Sequence, residues 1–474
     1  MKTNKIFNGL FWSFTDNFLQ QIVNFIVGIV LARILLPEEF GIIGIISVFI
    51  AVSNTFINSG LSDALINKKD ASEKDYSTVF WANILLGLFI YLLLFITAPY
   101  ISIFFKQETL TNLIRITAIS IVIVSFSSIQ RTLFTKEINF KTITIISTLS
   151  VVISGIIALY MALHDYGILS LVVRMVLGQF VTLLLFWILN KWRPKFIFDF
   201  KSLKELYKYG GNLFMSRLMN SLYDNLYYFI IGKCFSPANL GYYSRADTFR
   251  NLASTNITNA VQRVSFSALS SKNEEKEQME LFKKFLLSTF FITVFFMAIL
   301  FVCSNEIILI LIGLKWTNSI LYLKILSISG LFIPLYTLNI NFLAVKNRTH
   351  LFFQIELITK LFAIPIILVG VSFGIVPMLI GIIVASFLSY FTSAYFIKKL
   401  YNYNYRDQFT VIFKGIVMFL VSIILTLVAD YLKIENLFFK LILNLILVCS
   451  VFLIGMRFLF PELIMELKKL KKSY

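Results

Sequence analysis

Arg33-Ile34-Leu35-Leu36-Pro37-Glu38-Glu39-Phe40-Gly41 ends the first long apolar run of the chain and opens the second. Lys233-Cys234-Phe235-Ser236-Pro237-Ala238-Asn239-Leu240-Gly241 stands in the same way between the seventh run and the eighth. The basic residue, the proline and the glycine are each 200 positions apart, as Arg33/Lys233, Pro37/Pro237 and Gly41/Gly241. At the same offset Asn24 meets Asp224, Asn54 meets Ser254 and Asn58 meets Thr258. The chain has only 8 prolines, so a matched Pro-x-x-x-Gly at two helix-to-helix turns points to an internal repeat. Coincidence between two hairpins of similar turn chemistry is the competing reading.

The runs that flank these turns need a bilayer. Of 474 residues, 58% are hydrophobic, 50 are phenylalanine and only 14% are charged. A soluble core cannot hide that much apolar surface, and a soluble domain carries about 25% charged residues. A helix spans the hydrocarbon with about 20 apolar residues. Fourteen such spans are expected, near 9–35, 40–64, 77–104, 110–133, 142–163, 167–190, 207–232, 238–268, 282–303, 317–344, 351–370, 374–397, 410–431 and 437–459. The expected fold is an all-α integral membrane bundle.

The net charge of +18 does not describe a nucleic-acid binder, because the basic residues fall in short clusters between apolar runs. With the N-terminus placed in the cytoplasm, the inside loops hold Lys68, Lys69 and Lys74; Lys136 and Lys141; and Lys191, Arg193, Lys195, Lys201 and Lys204. Further along they hold Lys272 and Lys276; Lys346 and Arg348; and Lys398, Lys399 and Arg406, with Lys468, Lys469, Lys471 and Lys472 in the tail. The outside loops hold little beyond Lys106, Lys233, Lys315 and Lys433. Basic loops stay in the cytoplasm, so both termini are expected there.

Six spans separate equivalent points of the repeat. That number is even, so the halves are expected to be parallel repeats about an axis along the membrane normal. Residues 1–200 would form one six-helix lobe, 201–400 the second, and 401–474 two additional spans with a basic cytoplasmic tail. The lobes would face each other across a central cavity.

Several chemistries lack their residues. There is no phosphate loop of the G-x-x-x-x-G-K-[ST] kind, and the two histidines, His164 and His350, do not suggest a metal site. Cys234, Cys303 and Cys449 are scattered without metal spacing. No cofactor, catalytic residue or metal ligand is expected.

Charges within spans carry the functional signal, since each costs about 2.5–3.5 kcal/mol on insertion scales. Asp16, Gln20 and Asn24 are spaced i, i+4 and i+8, which is one helical face. Arg217, Asn220 and Asp224 are spaced i, i+3 and i+7, again one face. The eighth span holds Arg245, Asp247, Arg250, Asn256, Asn259 and Arg263. Arg245 and Arg263 also lie where they could snorkel to an interface, and Arg217 and Asp224 could neutralise each other. The candidate cavity-lining residues are therefore Arg217, Arg250, Arg245, Arg263 and Asn220. Guanidinium groups in low dielectric pair bidentately with phosphate, and amides and tyrosines suit sugar hydroxyls. An amphiphile with an anionic head and a greasy tail would satisfy both chamber and lipid.

Three short stretches carry a family resemblance. Leu31-Ala32-Arg33-Ile34-Leu35-Leu36-Pro37-Glu38-Glu39-Phe40-Gly41 resembles the first-turn signature of the polysaccharide repeat-unit flippases, in the multidrug/oligosaccharidyl-lipid/polysaccharide exporter superfamily. Asn58-Ser59-Gly60-Leu61-Ser62-Asp63-Ala64-Leu65-Ile66 resembles the end of their second span. Leu240-Gly241-Tyr242-Tyr243-Ser244-Arg245-Ala246 is similar to the eighth-span motif of the branch with colanic-acid and teichuronic-acid exporters. The resemblance implies two six-helix bundles with two extra helices, alternating access, and no enzymatic step. It implies carriage of an undecaprenyl-diphosphate-linked oligosaccharide across the bacterial inner membrane for surface polysaccharide synthesis. Its implied partners are that lipid, the membrane, a proton or sodium ion and polysaccharide polymerase machinery. Relatives often carry an acid where this chain has Asn58, so coupling would pass to Asp16, Asp63 or Asp224. Two alternatives stand beside this reading. One is a multidrug/cation antiporter of the same superfamily, against which the intramembrane arginines argue. The other is a membrane polysaccharide polymerase or glycosyltransferase, against which the short outside loops argue.

Overall fold

A computed structural model of the protein describes residues 2–58, 60–272, 274–346, 348–401, 403–431 and 434–462. Ser59, Lys433 and the tail lysines Lys468, Lys469, Lys471 and Lys472 lie outside the described residues. Every regular element among the described residues is helical, and the chain divides into two compact units, Met1–Gly241 and Tyr242–Tyr474.

The first unit contains α1 (Lys2–Ile34), α2 (Pro37–Ile57), α3 (Leu61–Asn67), α4 (Glu73–Phe105), α5 (Leu110–Lys136), α6 (Phe140–Leu163), α7 (Leu169–Leu189), α8 (Phe200–Asp224), α9 (Leu226–Cys234) and the first turn of α10 (Pro237–Ser270). The second contains the rest of α10 with α11 (Glu275–Val302), α12 (Ser304–Leu311), α13 (Asn318–Gly330), α14 (Ile333–Val345), α15 (Thr349–Phe373), α16 (Ile375–Tyr401), α17 (Tyr405–Tyr431) and α18 (Leu437–Phe458).

Among the described residues, 12 helical stretches are long and apolar enough to cross a membrane. They match twelve of the fourteen expected spans to within a few residues. The two that fall short are 207–232 and 238–268, which fold as α8 with α9 and as α10. These helices carry too many polar groups to pass as apolar spans. They are also where the candidate arginines concentrate. The count of fourteen is therefore approximate.

Proline opens α2 at its first position, where a missing N–H costs nothing. The Glu39 carboxylate accepts from the Leu36 backbone N–H at 2.7 Å, so the turn satisfies one of its own donors. A methyl added to Gly41 would stand 1.8 Å from the carbonyl oxygen of Pro237. A methyl added to Gly241 would stand 1.8 Å from that of Pro37. Each glycine of the repeated motif thus receives the proline carbonyl of the other copy. Only a residue without Cβ permits such backbone contact.

Small and hydroxylated side chains set the other close approaches, as expected where lipid gives no hydrophobic drive between helices. Asn83 Nδ2 donates to Ser128 Oγ at 2.9 Å between α4 and α5. In the second unit Asn339 Nδ2 donates to Ser393 Oγ at 2.8 Å between α14 and α16. The aromatic core there gathers Phe282, Phe290 and Phe342, all fully buried.

The linker before α8 lies along the start of α4. Trp81 Nε1 donates to the Lys195 carbonyl at 2.9 Å, and the Asp199 N–H donates to Thr78 Oγ1 at 3.1 Å. Lys74 Nζ lies 2.6 Å from Asp199 Oδ2. The Lys74 ammonium, helped by the Lys201 backbone N–H, holds the Asp199 carboxyl below its usual 3.8.

Candidate functional site

Two helix interruptions shape the site in the first unit. Between α2 and α3 the chain turns at Gly60, whose φ of +75° is a left-handed conformation suited to glycine. A methyl there would also stand 2.2 Å from the Gly210 carbonyl oxygen of α8, so two glycines bring these backbones together. The second interruption, at Asn225, separates α8 from α9. Asn225 Nδ2 donates to the Ser221 carbonyl at 2.8 Å and satisfies one acceptor at the break. Broken helices at membrane depth are tolerated where the backbone lines a cavity.

A cavity of about 750 Å³ opens beside both breaks. Its walls come from α2, α3, α5, α7 and α8. Only Ala51, Ile66, Val124 and Phe186 in its lining are apolar. Two arginines, Arg131 and Arg217, and two acids, Asp63 and Asp224, face it together with Asn54, Asn220 and Gln179. Ser127, Ser128, Thr132 and Thr182 donate their hydroxyl protons to carbonyls of their own helices at 2.8–3.0 Å. Their oxygens keep lone pairs for a ligand's donors. Asn54 Oδ1 is buried and accepts no hydrogen bond among the described residues.

The charges are not equivalent. Arg217 Nη1 lies 2.8 Å from Asp63 Oδ2, a distance at which an ion pair forms. Among the described residues that oxygen nevertheless receives no aligned hydrogen bond, so the attraction is Coulombic and lacks the directional fork arginine can make. The guanidinium of Arg131 is exposed to the cavity side and has no ion-pair or hydrogen-bond partner among the described residues. An uncompensated cation in a polar hollow attracts anions.

The structure brings Arg217, Asn220, Asp224 and Asp63 together in this lining. The other candidates lie elsewhere. Asp16 is buried on α1, accepts from Gln20 Nε2 at 2.9 Å and receives the Ser147 hydroxyl of α6. Arg245, Arg250 and Arg263 stand on α10 within the second unit. Arg250 lies 2.5 Å from Asp247 Oδ1 and donates to Ser329 Oγ at 3.3 Å and to Asn251 Oδ1 at 3.1 Å. Arg245 is half-buried and Arg263 exposed. Sequence reasoning missed Arg131 and Gln179. Its signal was available for Arg131: Ser127, Ser128, Arg131, Thr132 and Thr135 recur on one face of an otherwise apolar helix.

Residues 30–321, more than half of the chain, match the family model described as polysaccharide biosynthesis protein. The chain belongs to this family. It is 27% identical over 359 residues to the teichuronic acid biosynthesis protein TuaB of Bacillus subtilis (strain 168), covering 74% of this chain and 73% of that protein. It is 24% identical over 387 residues to the lipopolysaccharide biosynthesis protein WzxC of Escherichia coli (strain K12), covering 80% and 78%. Among solved structures, lipid II flippase MurJ in an inward closed conformation superposes with a TM-score of 0.80 at 18% identity, over 96% of this chain and 100% of that one. That likeness shows the fold, an all-helical one, and among the described residues 12 of its helical stretches are long and apolar enough to cross a membrane. This member of the polysaccharide biosynthesis family keeps the Pro-x-x-x-Gly turns within the matched segment.

Proposed function

We propose that the chain is a flippase for a polyprenyl-diphosphate-linked oligosaccharide repeat unit, and not an enzyme. It works in the bacterial inner membrane by alternating access, with both termini in the cytoplasm and surface polysaccharide as the destination. The observation that carries this reading is Arg131, a cation with no ion-pair partner among the described residues, sharing a polar cavity with Arg217. A diphosphate offers oxygens to both guanidinium groups. Asn220, Gln179 and the lining hydroxyls can meet sugar hydroxyls, and the surrounding apolar helices suit a prenyl tail. The family match and the flippase-like fold support the same substrate class. A cavity built for cationic drugs would instead carry acids in excess, whereas here the two lining acids are matched by two arginines and Asp63 is paired with Arg217.

Residues 1–200 and 201–400 serve as the two moving lobes, with 401–474 outside that symmetry. Asp16, Asp63 or Asp224 couples transport to a proton or sodium ion, and a polysaccharide polymerase receives the product. Arg245, Arg250 and Arg263 are kept as secondary contacts on α10. The direct test is equilibrium binding of a polyprenyl diphosphate to the purified full chain in nanodiscs. Arg131→Gln is expected to weaken binding about tenfold, the value of one lost charge-assisted contact. Unchanged binding in Arg131→Gln would remove the cavity from the reading.

A further inference from the structure

We infer that Asp63 is an affinity-setting residue: an internal carboxylate that occupies Arg217 in the empty cavity and is exchanged for the substrate's anionic group. The inference rests on the reading that this cavity takes a polyprenyl diphosphate. It assigns Asp63 a task other than carrying a coupling ion.

Three observations meet here. Asp63 lies on α3 and Arg217 on α8, so the pair joins two helices and does not brace one. The side chain of Arg217 is 49% exposed, and both residues face the cavity, so an incoming anion can reach the guanidinium. The ion pair is close at 2.8 Å, yet the carboxylate oxygen receives no aligned N–H among the described residues. A permanent structural bridge gains its strength from paired, well-directed hydrogen bonds. An anion with two acceptor oxygens can offer the arginine the fork that Asp63 does not.

The backbone around the pair favours exchange. Asp63 stands three residues after Gly60, the left-handed residue at the α2–α3 break. Gly60 in turn packs on Gly210, seven residues before Arg217 on α8. A contact between two glycines carries no side chains that must repack, so the ion pair lies close to a smooth pivot. Displacement of Asp63 then leaves its charge in the cavity beside the bound anion. That repulsion makes binding weaker than the arginines alone would give, and helps release on the far side. A transporter gains nothing from holding its cargo tightly, since a ligand must leave as well as enter.

Binding of a polyprenyl diphosphate to the full chain in nanodiscs tests this. Asp63→Asn is expected to bind about tenfold tighter, the effect of removing one competing charge. Asp63→Glu, which keeps the charge, is expected to bind as the wild type does. The double variant Asp63→Asn/Arg217→Gln is expected to gain clearly less than tenfold over Arg217→Gln alone, because competition for the arginine is gone and only the repulsion is relieved. Equal or weaker binding in Asp63→Asn, with the melting temperature unchanged or lowered, would overturn the inference and leave a structural bridge. If neither the wild type binds nor Arg131→Gln changes binding, the reading of the cavity fails instead.

Discussion

Gly41 and Gly241 hold equivalent places in the two turns, and each lies against the carbonyl of the other turn's proline. An added methyl would stand 1.8 Å from Pro237 O in the first case and 1.8 Å from Pro37 O in the second. Backbone cannot yield as a flexible side chain can, so Gly41→Ala and Gly241→Ala should each cost about 3 kcal/mol, at the upper end for overpacking. Their losses in thermal stability should agree with each other in detergent unfolding scans. Gly211→Ala is the control, since the nearest atoms to its added methyl would be those of the Tyr207 ring, at an ordinary contact distance of 3.5 Å. That substitution should be neutral or stabilising by up to about 1 kcal/mol, as alanine in a helix interior usually is.

Gly60→Ala should be worse than a helix-interior exchange for two separate reasons. Its φ of +75° costs a residue with a Cβ about 1–2 kcal/mol, and the methyl would stand 2.2 Å from Gly210 O. Removing the second reason is impossible without moving α8, so no substitution at Gly210 should rescue it. Expression and melting temperature of Gly60→Ala, with and without Gly210→Ala, check this.

Much of the fold was legible because lipid imposes simple demands. Apolar runs of spanning length, basic loops and a Pro-x-x-x-Gly turn are local features, and the fourteen expected segments are mainly helical where they are described, with breaks inside 40–64, 207–232 and 317–344. The helix breaks were not legible. Gly60 permits a positive φ, but its close backbone contact with Gly210, 150 residues away, could not be read from Asn58 through Asp63. The candidate site divides along the same line. Arg217, Asn220, Asp224 and Asp63 share a lining that helical periodicity could suggest for three of them. Arg250 is held by Asp247 one turn earlier, a pairing its i, i+3 spacing permitted but did not require. Arg131 comes from a different helix, and only tertiary packing shows that it joins Arg217.

The linker before α8 should respond to acid. Asp199 is ionised and paired with Lys74, and its carboxyl is held below 3.8. A depressed carboxylate contributes its interaction above the unfolded value and loses it as pH falls through the folded one. The linker should therefore be best protected from protease at neutral and mildly acidic pH, and be cut somewhat faster once the pH has fallen below 3.8. Asp199→Asn should raise cleavage only modestly at neutral pH, because the pair is exposed and the Trp81 and Thr78 hydrogen bonds still hold the linker. Trypsin at neutral pH and pepsin in acid, cutting near Lys195 and Phe196, give the readout. Equal protection of the variant and the wild type at neutral pH would contradict the pairing.

The buried amide contacts should be worth little each. Asn83→Ala, which removes the bond to Ser128, and Asn339→Ala, which removes that to Ser393, should each cost about 0.6 kcal/mol, with 1.7 kcal/mol near the top of the range. Losses several times larger would mean that these contacts organise the helices and do more than join them. Reversible unfolding in mixed micelles would measure the difference.

The most direct measurement is leaflet transfer in liposomes loaded with a fluorescent polyprenyl-diphosphate sugar. Wild-type protein should carry the label to the opposite leaflet, and Arg131→Gln/Arg217→Gln should slow transfer about a hundredfold, about tenfold for each guanidinium lost. Transfer by that double variant at the wild-type rate would show that the cargo passes without touching this cavity.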